Sequence, residues 1–442
     1  MLTSGWGRYP RVDAQWRTFD SEKEIQRILD SLPPRRSSIA RGMGRSYGDS
    51  SLAETVLSTR RLNRFISFDD ATGDLVCESG VSLAEILEVF VPRGWFLPVT
   101  PGTKFVTVGG AIASDVHGKN HHREGSFSNH VIWLDVLLAE GSVVRCSRAQ
   151  NMELFLATCA GYGLTGIVLR AALRLKKIET AYIRQKIVKA KDLEDALSAF
   201  DEYSSWTYSV AWIDCLSRGA KLGRSVLMAG EHATREEMKG KQDPLKLKPG
   251  MKLTVPVDFP SFALSSVTVR AFNFAYYAKA TNSENEVLIS YEPYFYPLDG
   301  IYNWNRIYGK RGFVQYQFVI PKEAGREGLK KILEKIAATE RGSFLAVLKL
   351  FGKEDGPYLS FAKEGYTLAL DFAVTSELLK ELEELDAMVK DFGGRIYPTK
   401  DARMSPAMME YGYQHLDKFR IVREKVDPRR RFSSLQSRRL EL

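Results

Sequence analysis

Residues 99–131, VTPGTKFVTVGGAIASDVHGKNHHREGSFSNHV, hold five of the chain's 34 glycines and four of its six histidines, with little that could sustain a long helix or a regular strand. Segments this rich in Gly, Thr, Ser, Asn and His wrap around polar ligands. Gly109 and Gly110 lack Cβ, so backbone N–H groups there can come within hydrogen-bonding range of a phosphate. Two further segments repeat the theme, Arg41-Gly42-Met43-Gly44-Arg45-Ser46-Tyr47-Gly48-Asp49 and Gly161-Tyr162-Gly163-Leu164-Thr165-Gly166. One such segment reads as an ordinary turn; three of them point to a phosphate-bearing cofactor. The first is a poor dinucleotide fingerprint, because its glycines are spaced GxGxxxG and no amphipathic helix follows Gly48. It reads instead as a turn whose amides and Ser46 hydroxyl cradle a pyrophosphate.

His117, His121, His122 and His130 fall within fourteen residues, a density that raises the question of a metal. No helical i, i+4 pattern is sustained and no paired cysteine accompanies them, so no metal is expected. The plain alternative for His121, His122 and His130 is that they tie down their own loop. Cys77, Cys146, Cys159 and Cys215 stand singly and read as reduced, partly buried small hydrophobes.

Short elements must position these residues. Helical spacing runs from 22 to 32, and Ser38-Ile39-Ala40 begins a strand leading into the first glycine turn. Strands at 65–68 and 75–77 flank a turn, and Ser82 with Glu85 forms a capping-box signature before the amphipathic run 84–91. A hairpin is expected from 131–139 and 142–145 around Glu140-Gly141, with another strand at 167–175. Beyond about 180 the pattern changes to longer strands, 315–320 and 367–372 among them, and a helix at 376–392. The stretch 231–285, rich in Lys, Pro, Ser and Asn, is expected to contain a mobile loop, with Phe259, Phe262 and Leu264 exposed.

A chain of 442 residues exceeds one ordinary hydrophobic core, so two domains are expected. Its 44% hydrophobic and 26% charged residues suit a globular protein, and no apolar run approaches the ~18–20 residues of a membrane span. The N-terminal residues carry arginines without a following apolar stretch, so no secretory signal is read and a cytoplasmic protein is expected. The net charge of +9 is dispersed except at the tail, Arg429-Arg430-Arg431 and Arg438-Arg439. No nucleic-acid motif accompanies it; no nucleic-acid partner is expected.

The three glycine segments, near residues 45, 110 and 165, resemble the cofactor grip of the flavoproteins typified by vanillyl-alcohol oxidase. The resemblance implies an α+β fold in which an FAD-binding domain of two α+β subdomains, 1–180, is followed by a substrate-binding cap with an antiparallel sheet flanked by helices, 181–394. A C-terminal segment, 395–442, would return to the FAD domain. Further segments are similar to one branch of the family, which oxidises a sugar on a polyprenyl phosphate: His117-Gly118-Lys119-Asn120-His121-His122, Ala211-Trp212-Ile213-Asp214, Trp304-Asn305-Arg306, Gln315-Tyr316-Gln317, Lys349-Leu350-Phe351-Gly352 and Lys400-Asp401-Ala402-Arg403. This likeness runs from about residue 38 to the C-terminus.

What it implies is oxidation of the sugar 2′-hydroxyl of a polyprenylphosphoryl ribose, or a similar sugar, by hydride transfer to flavin N5. This is the first half of a 2′-epimerisation that serves arabinose-donor or cell-wall polysaccharide synthesis. A separate NAD(P)H-dependent keto-reductase would complete it, quinone or oxygen would take the electrons, and contact would be peripheral at the inner membrane face. Implied cofactor-binding residues are Arg41 to Asp49, namely Arg41, Gly42, Met43, Gly44, Arg45, Ser46, Tyr47, Gly48 and Asp49. To these are added Gly102, Thr103, Thr107, Val108, Gly109, Gly110, Ser114, His117, Ile167 and Tyr397. The implied catalytic set is Lys400, His117 and Tyr47; a fixed cation beside developing negative charge lowers the barrier, and the histidine could orient or deprotonate a hydroxyl. Trp212, Gln315, Gln317, Lys349, Phe351, Thr367, Ala369 and Lys400 match the substrate pocket, and Gln315 and Gln317 share one strand face by the period-two rule.

Two departures stand out. The mycobacterial member of the branch has an asparagine and a cysteine on a pocket strand where this chain has Thr367 and Ala369, so inhibitors that need that thiol should not attach. Many relatives bond the flavin to a histidine in the first glycine turn; Arg45 stands there, which implies dissociable, non-covalent FAD. Two rivals remain open: a soluble FAD-dependent alditol or sugar-lactone oxidase, and a basic nucleotide-binding protein without redox activity.

Overall fold

The expected long strands form an eight-stranded antiparallel sheet whose order is Val287–Ser290, Tyr182–Ala190, Ser225–His232, Tyr208–Ile213, Ala346–Phe351, Gly365–Ala373, Phe313–Pro321 and Arg395–Ile396. The computed structural model describes residues 1–33, 36–238, 243–247, 250, 252–260, 264–282, 286–343, 345–354 and 356–442. Alternation along the strands divides the sheet's faces. Tyr316, Phe318, Ile320, Leu368, Leu370 and Leu348 turn into the main apolar core with the helices Lys322–Ala338 and Ser376–Asp391. Gln315, Gln317, Val347, Lys349, Ala369 and Asp371 turn to the opposite face, toward a cavity.

Two smaller sheets precede it. Gln15–Thr18, Thr55–Ser58 and Ser38–Arg41 pair in parallel, and the strand Ser38–Arg41 delivers the first glycine turn. The second, five-stranded and antiparallel, runs Val143–Cys146, Val131–Leu137, Ile167–Arg174, Asp74–Glu78, Phe65–Asp69. It contains the expected hairpin, with Leu137 opposite Val143. The capping box is present: Ser82 Oγ accepts from the Glu85 amide at 3.2 Å while Glu85 accepts from the Ser82 amide at 2.7 Å, starting the helix Leu83–Phe90.

The C-terminal residues join these units. Arg395–Ile396 is the edge strand of the large sheet, so that sheet extends past residue 394. Further on, Phe432 bridges to Ser38, the Leu435 amide donates to the Leu52 carbonyl, and Arg439 reaches Asp49. All four cysteines are free and buried. Among the described residues, no helix is long and apolar enough to cross a membrane. Of the side chains expected to be exposed between 231 and 285, Phe259 is half-exposed, Leu264 packs against the Tyr47, Trp304, Tyr308 and Phe313 cluster, and Phe262 lies outside the described residues.

Candidate active site

The three glycine segments and the free face of the large sheet enclose one cavity of about 520 Å³, in the size range of small-molecule and cofactor sites. On the glycine side it is lined by Arg41, Gly42, Met43, Gly44, Arg45, Ser46 and Tyr47, by Gly102, Thr103, Thr107, Gly109, Gly110, Ser114 and His117, and by Gly163, Gly166, Ile167 and Tyr397. The amides of the glycine pair Gly109-Gly110 are already engaged within the protein. A six-residue helix, Val108–Ala113, begins there, capped by Thr107, and the amides of Val108, Gly109 and Gly110 already donate to Val81 O, Ser79 O and Thr107 Oγ1. In the first turn the amides of Met43, Gly44, Arg45 and Ser46 donate to no protein group among the described residues.

Close packing makes the turn a fixed cradle. A Cβ on Gly42 would lie 2.1 Å from Thr107 Oγ1, and Gly44 has φ +62°, which glycine adopts without strain. In the same wall Arg45 Nε, Ser79 Oγ and His117 Nδ1 are buried without a hydrogen-bond partner. Free amides, unpartnered buried donors and an apolar floor of Ala113, Val116, Ile167 and Val168 suit a dinucleotide with a flat ring system.

Three residues assigned to the cofactor lie off this wall. Val108 is in the core. Gly48 sits against the Asp401 backbone, where a Cβ would lie 1.7 Å from the carbonyl oxygen. The Asp49 carboxylate is held by Arg439 at 2.8 and 3.1 Å. Thr103 lines the cavity, yet its hydroxyl donates to Asp299 at 2.6 Å.

Across the cavity stand Trp212, Gln315, Gln317, Lys349, Ala369 and Lys400. Phe351 and Thr367 lie behind them. Phe351 packs edge-on to His117 at 4.8 Å, and the Thr367 hydroxyl donates to Phe318 O at 2.8 Å. With its proton engaged there, Thr367 Oγ1 accepts from Gln317 Nε2 at 3.2 Å, which orients the amide to donate also to His117 Nε2 at 3.1 Å. His117 therefore carries its proton on Nδ1. Burial first, then Lys349, His121 and Lys400, hold its pKa well below the ordinary value, so the ring is neutral and offers Nδ1–H as a donor.

Lys400 and Asp371 line the same cavity and act electrostatically on one another. Burial pushes the lysine down, opposed by Asp371; burial pushes the aspartate up, opposed by the Gln315 amide, which donates at 2.6 Å, and by Lys400. Lys400 Nζ lies 3.8 Å from the centroid of the Tyr47 ring, whose phenol burial keeps protonated. Asp371 and Lys119 were not singled out from the sequence, although Asp371 follows Ala369 by two residues on the same strand face and Lys119 adjoins the histidine run. Also missed were Phe272 and Tyr276, four apart on the helix Ser266–Lys279, with the Tyr276 ring 4.6 Å from that of Trp212. His121, His122 and His130 bond to backbone: His121 Nδ1 accepts from the Gly352 amide, and the other two donate to Trp206 O and Glu124 O.

Fold and cradle together define an FAD-binding protein of the α+β type, and the FAD binding domain family matches residues 16–147. Over 99% of this chain and 97% of the relative, 38% of residues are identical to decaprenylphosphoryl-β-D-ribose oxidase of Mycolicibacterium smegmatis. An uncharacterized protein in the mprA 5′ region of Streptomyces coelicolor is 33% identical over 82% of this chain and all of its own length. L-gulono-1,4-lactone dehydrogenase of Mycobacterium tuberculosis is 21% identical over 95% of this chain and 94% of its own. The chain belongs to the decaprenylphosphoryl-β-D-ribose oxidase family, and its cofactor is FAD.

Proposed function

We propose that this chain is an FAD-dependent oxidoreductase that oxidises the 2′-hydroxyl of a polyprenylphosphoryl-β-D-ribose to the 2′-ketone. The full-length likeness to an oxidase of that name carries the reading, and the cavity's chemistry agrees with it. Residues 1–180 with 395–442 would hold the cofactor and 181–394 the substrate. FAD, when bound, would supply the two-electron oxidant for the sugar carbon.

The chain's own groups handle the proton and the orientation. The Lys400–Asp371 pair takes the hydroxyl proton, because burial brings the two groups' proton affinities toward one another. Gln315 fixes the carboxylate and the Tyr47 ring supports the ammonium that forms. The Thr367–Gln317–His117 chain holds the Nδ1–H donor at the same end. Trp212, Phe272, Tyr276 and Trp304 offer apolar surface to the prenyl chain. Arg45 stacks on Trp6 at 4.0 Å and offers no nucleophile to a flavin, so FAD is held without a covalent bond.

The ketone would pass to a separate NAD(P)H-dependent keto-reductase, and the electrons to quinone or oxygen. A lipid-linked substrate and the exposed Val257 and Phe274 favour peripheral contact with the inner membrane face from the cytoplasm. The test is product trapping: borodeuteride added after turnover should place deuterium at C2′ and yield both ribo and arabino epimers. Deuterium at any other carbon contradicts the reading.

A further inference from the structure

Five cationic side chains, Arg41, Arg45, Lys119, Lys349 and Lys400, line the cavity against two carboxylates, Asp299 and Asp371. Asp371 acts electrostatically on Lys400, and Asp299 on Arg45 while accepting from Thr103 and the Lys104 amide. Among the described residues Lys119 and Lys349 have no carboxylate partner. Lys119 is pinned nonetheless: its backbone carbonyl accepts from the Ser209 amide at 2.8 Å, its Nζ donates to Tyr294 O, and that Nζ lies 4.3 Å from the Tyr294 ring centroid. Lys349 stands opposite Thr367 on the sheet, beside the Gln317–His117 bond, and it acts electrostatically on His117, His121, Lys119 and Lys400 together. Two half-buried ammonium groups on one cavity wall without a carboxylate partner are unfavourable unless a ligand supplies the counter-charge.

We propose that Lys119 and Lys349 form the subsite for the substrate's phosphate group. The proposal rests on the substrate class given above and names the part of the cavity that reads it. In a sugar phosphate of that kind the phosphate hangs on C1 and the reacting hydroxyl on C2, so the anion must sit close to Lys400 and Asp371. Lys119 and Lys349 line the same cavity as Lys400 and Asp371, and Lys349 and Asp371 project from neighbouring strands, which meets that requirement. Burial lowers Lys119 to about 7, with Lys349 adding to it, and lowers Lys349 to about 8. An anion between them favours the charged forms, so phosphate binding takes up protons and weakens as pH rises through 7 to 9. The neighbouring His117 and His121 stay neutral across this range, burial holding His121 near 3; Lys400 is the other titrating neighbour, and Tyr294 supplies a ring and a carbonyl.

The FAD-loaded protein should be compared on a prenylphosphoryl riboside and its neutral prenyl riboside analogue. Lys119→Gln and Lys349→Gln should each lower kcat/KM for the phosphorylated substrate about tenfold or more, mainly through KM, and shrink its preference over the neutral analogue by a similar factor. Lys349→Arg, which keeps the charge, should retain the preference. Equal losses on both substrates, or loss of FAD from the variants, would overturn the subsite: the lysines would then support the wall or the cofactor's own pyrophosphate. If the native protein oxidises neither substrate, the functional reading fails. Geranyl phosphate binding to the native holoenzyme, followed through the flavin spectrum and weakened in both glutamine variants, would still support the subsite, whereas equal binding to native and variants, or competition by inorganic phosphate alone with equal strength, would count against it.

Discussion

The two walls of the cavity are made from different parts of the chain. The cofactor wall is backbone: the amides of Met43 to Ser46 donate to no protein group among the described residues, and Gly42 packs so closely on Thr107 that a methyl group would collide. The substrate wall is side chain: Gln315, Gln317, Lys349, Ala369 and Asp371 project from alternate positions of three neighbouring strands. A backbone cradle fixes a cofactor of constant structure and tolerates little change. A side-chain wall on a regular sheet can be rewritten one residue at a time, as Thr367 and Ala369 illustrate, while its framework stays intact.

Breaking the joint between the walls should have the largest effect. Arg439 holds Asp49 at the end of the glycine turn and Asp401 next to Lys400, at 2.8 and 3.0 Å. Arg439→Ala leaves two buried carboxylates uncompensated and should cost about 3–5 kcal/mol, read by chemical denaturation, together with loss of FAD. Lys400→Met should fold and bind FAD but lower the rate of flavin reduction about 100-fold in single turnover, because it removes one half of the proton-accepting pair. Gly42→Ala attacks the cradle alone: its Cβ would meet Thr107, so it should destabilise by about 1–3 kcal/mol in a thermal melt and lower the flavin-to-protein absorbance ratio. Smallest is Gln317→Leu on the sheet wall, which frees His117 from its single tautomer and should slow turnover about tenfold with FAD content unchanged.

The same contrast governs what the sequence reveals. The cofactor wall announces itself, because only glycine fits its close approach and its positive φ, and those residues cluster at Gly42 and Gly44. Yet glycine spacing does not say which amides remain free. Thr107 caps an unsuspected helix at Val108–Ala113 and its hydroxyl takes up the Gly110 amide, while the Ser79 carbonyl takes up that of Gly109, so the amides without a protein acceptor are those of the earlier turn. On the substrate wall alternation places Gln315 and Gln317 together, but facing is not lining: Thr367 is in phase with Ala369 and turns its hydroxyl to Phe318 O instead. Asp371 carries the same phase and does reach the cavity. Its partnership with Lys400 spans two segments about thirty residues apart, which no local pattern records. Local signals such as the hairpin at Glu140-Gly141 and the Ser82–Glu85 box were legible because their physics is local.

The central claim, that this cavity oxidises a polyprenylphosphoryl sugar on bound FAD, is tested most directly by anaerobic mixing of the purified holoprotein with a polyprenylphosphoryl-β-D-ribose while the flavin absorbance is followed. Bleaching of one equivalent of flavin, with one equivalent of 2′-keto sugar formed, is the expected result. Flavin that stays oxidised with this substrate but bleaches with L-gulono-1,4-lactone or a free alditol would contradict it.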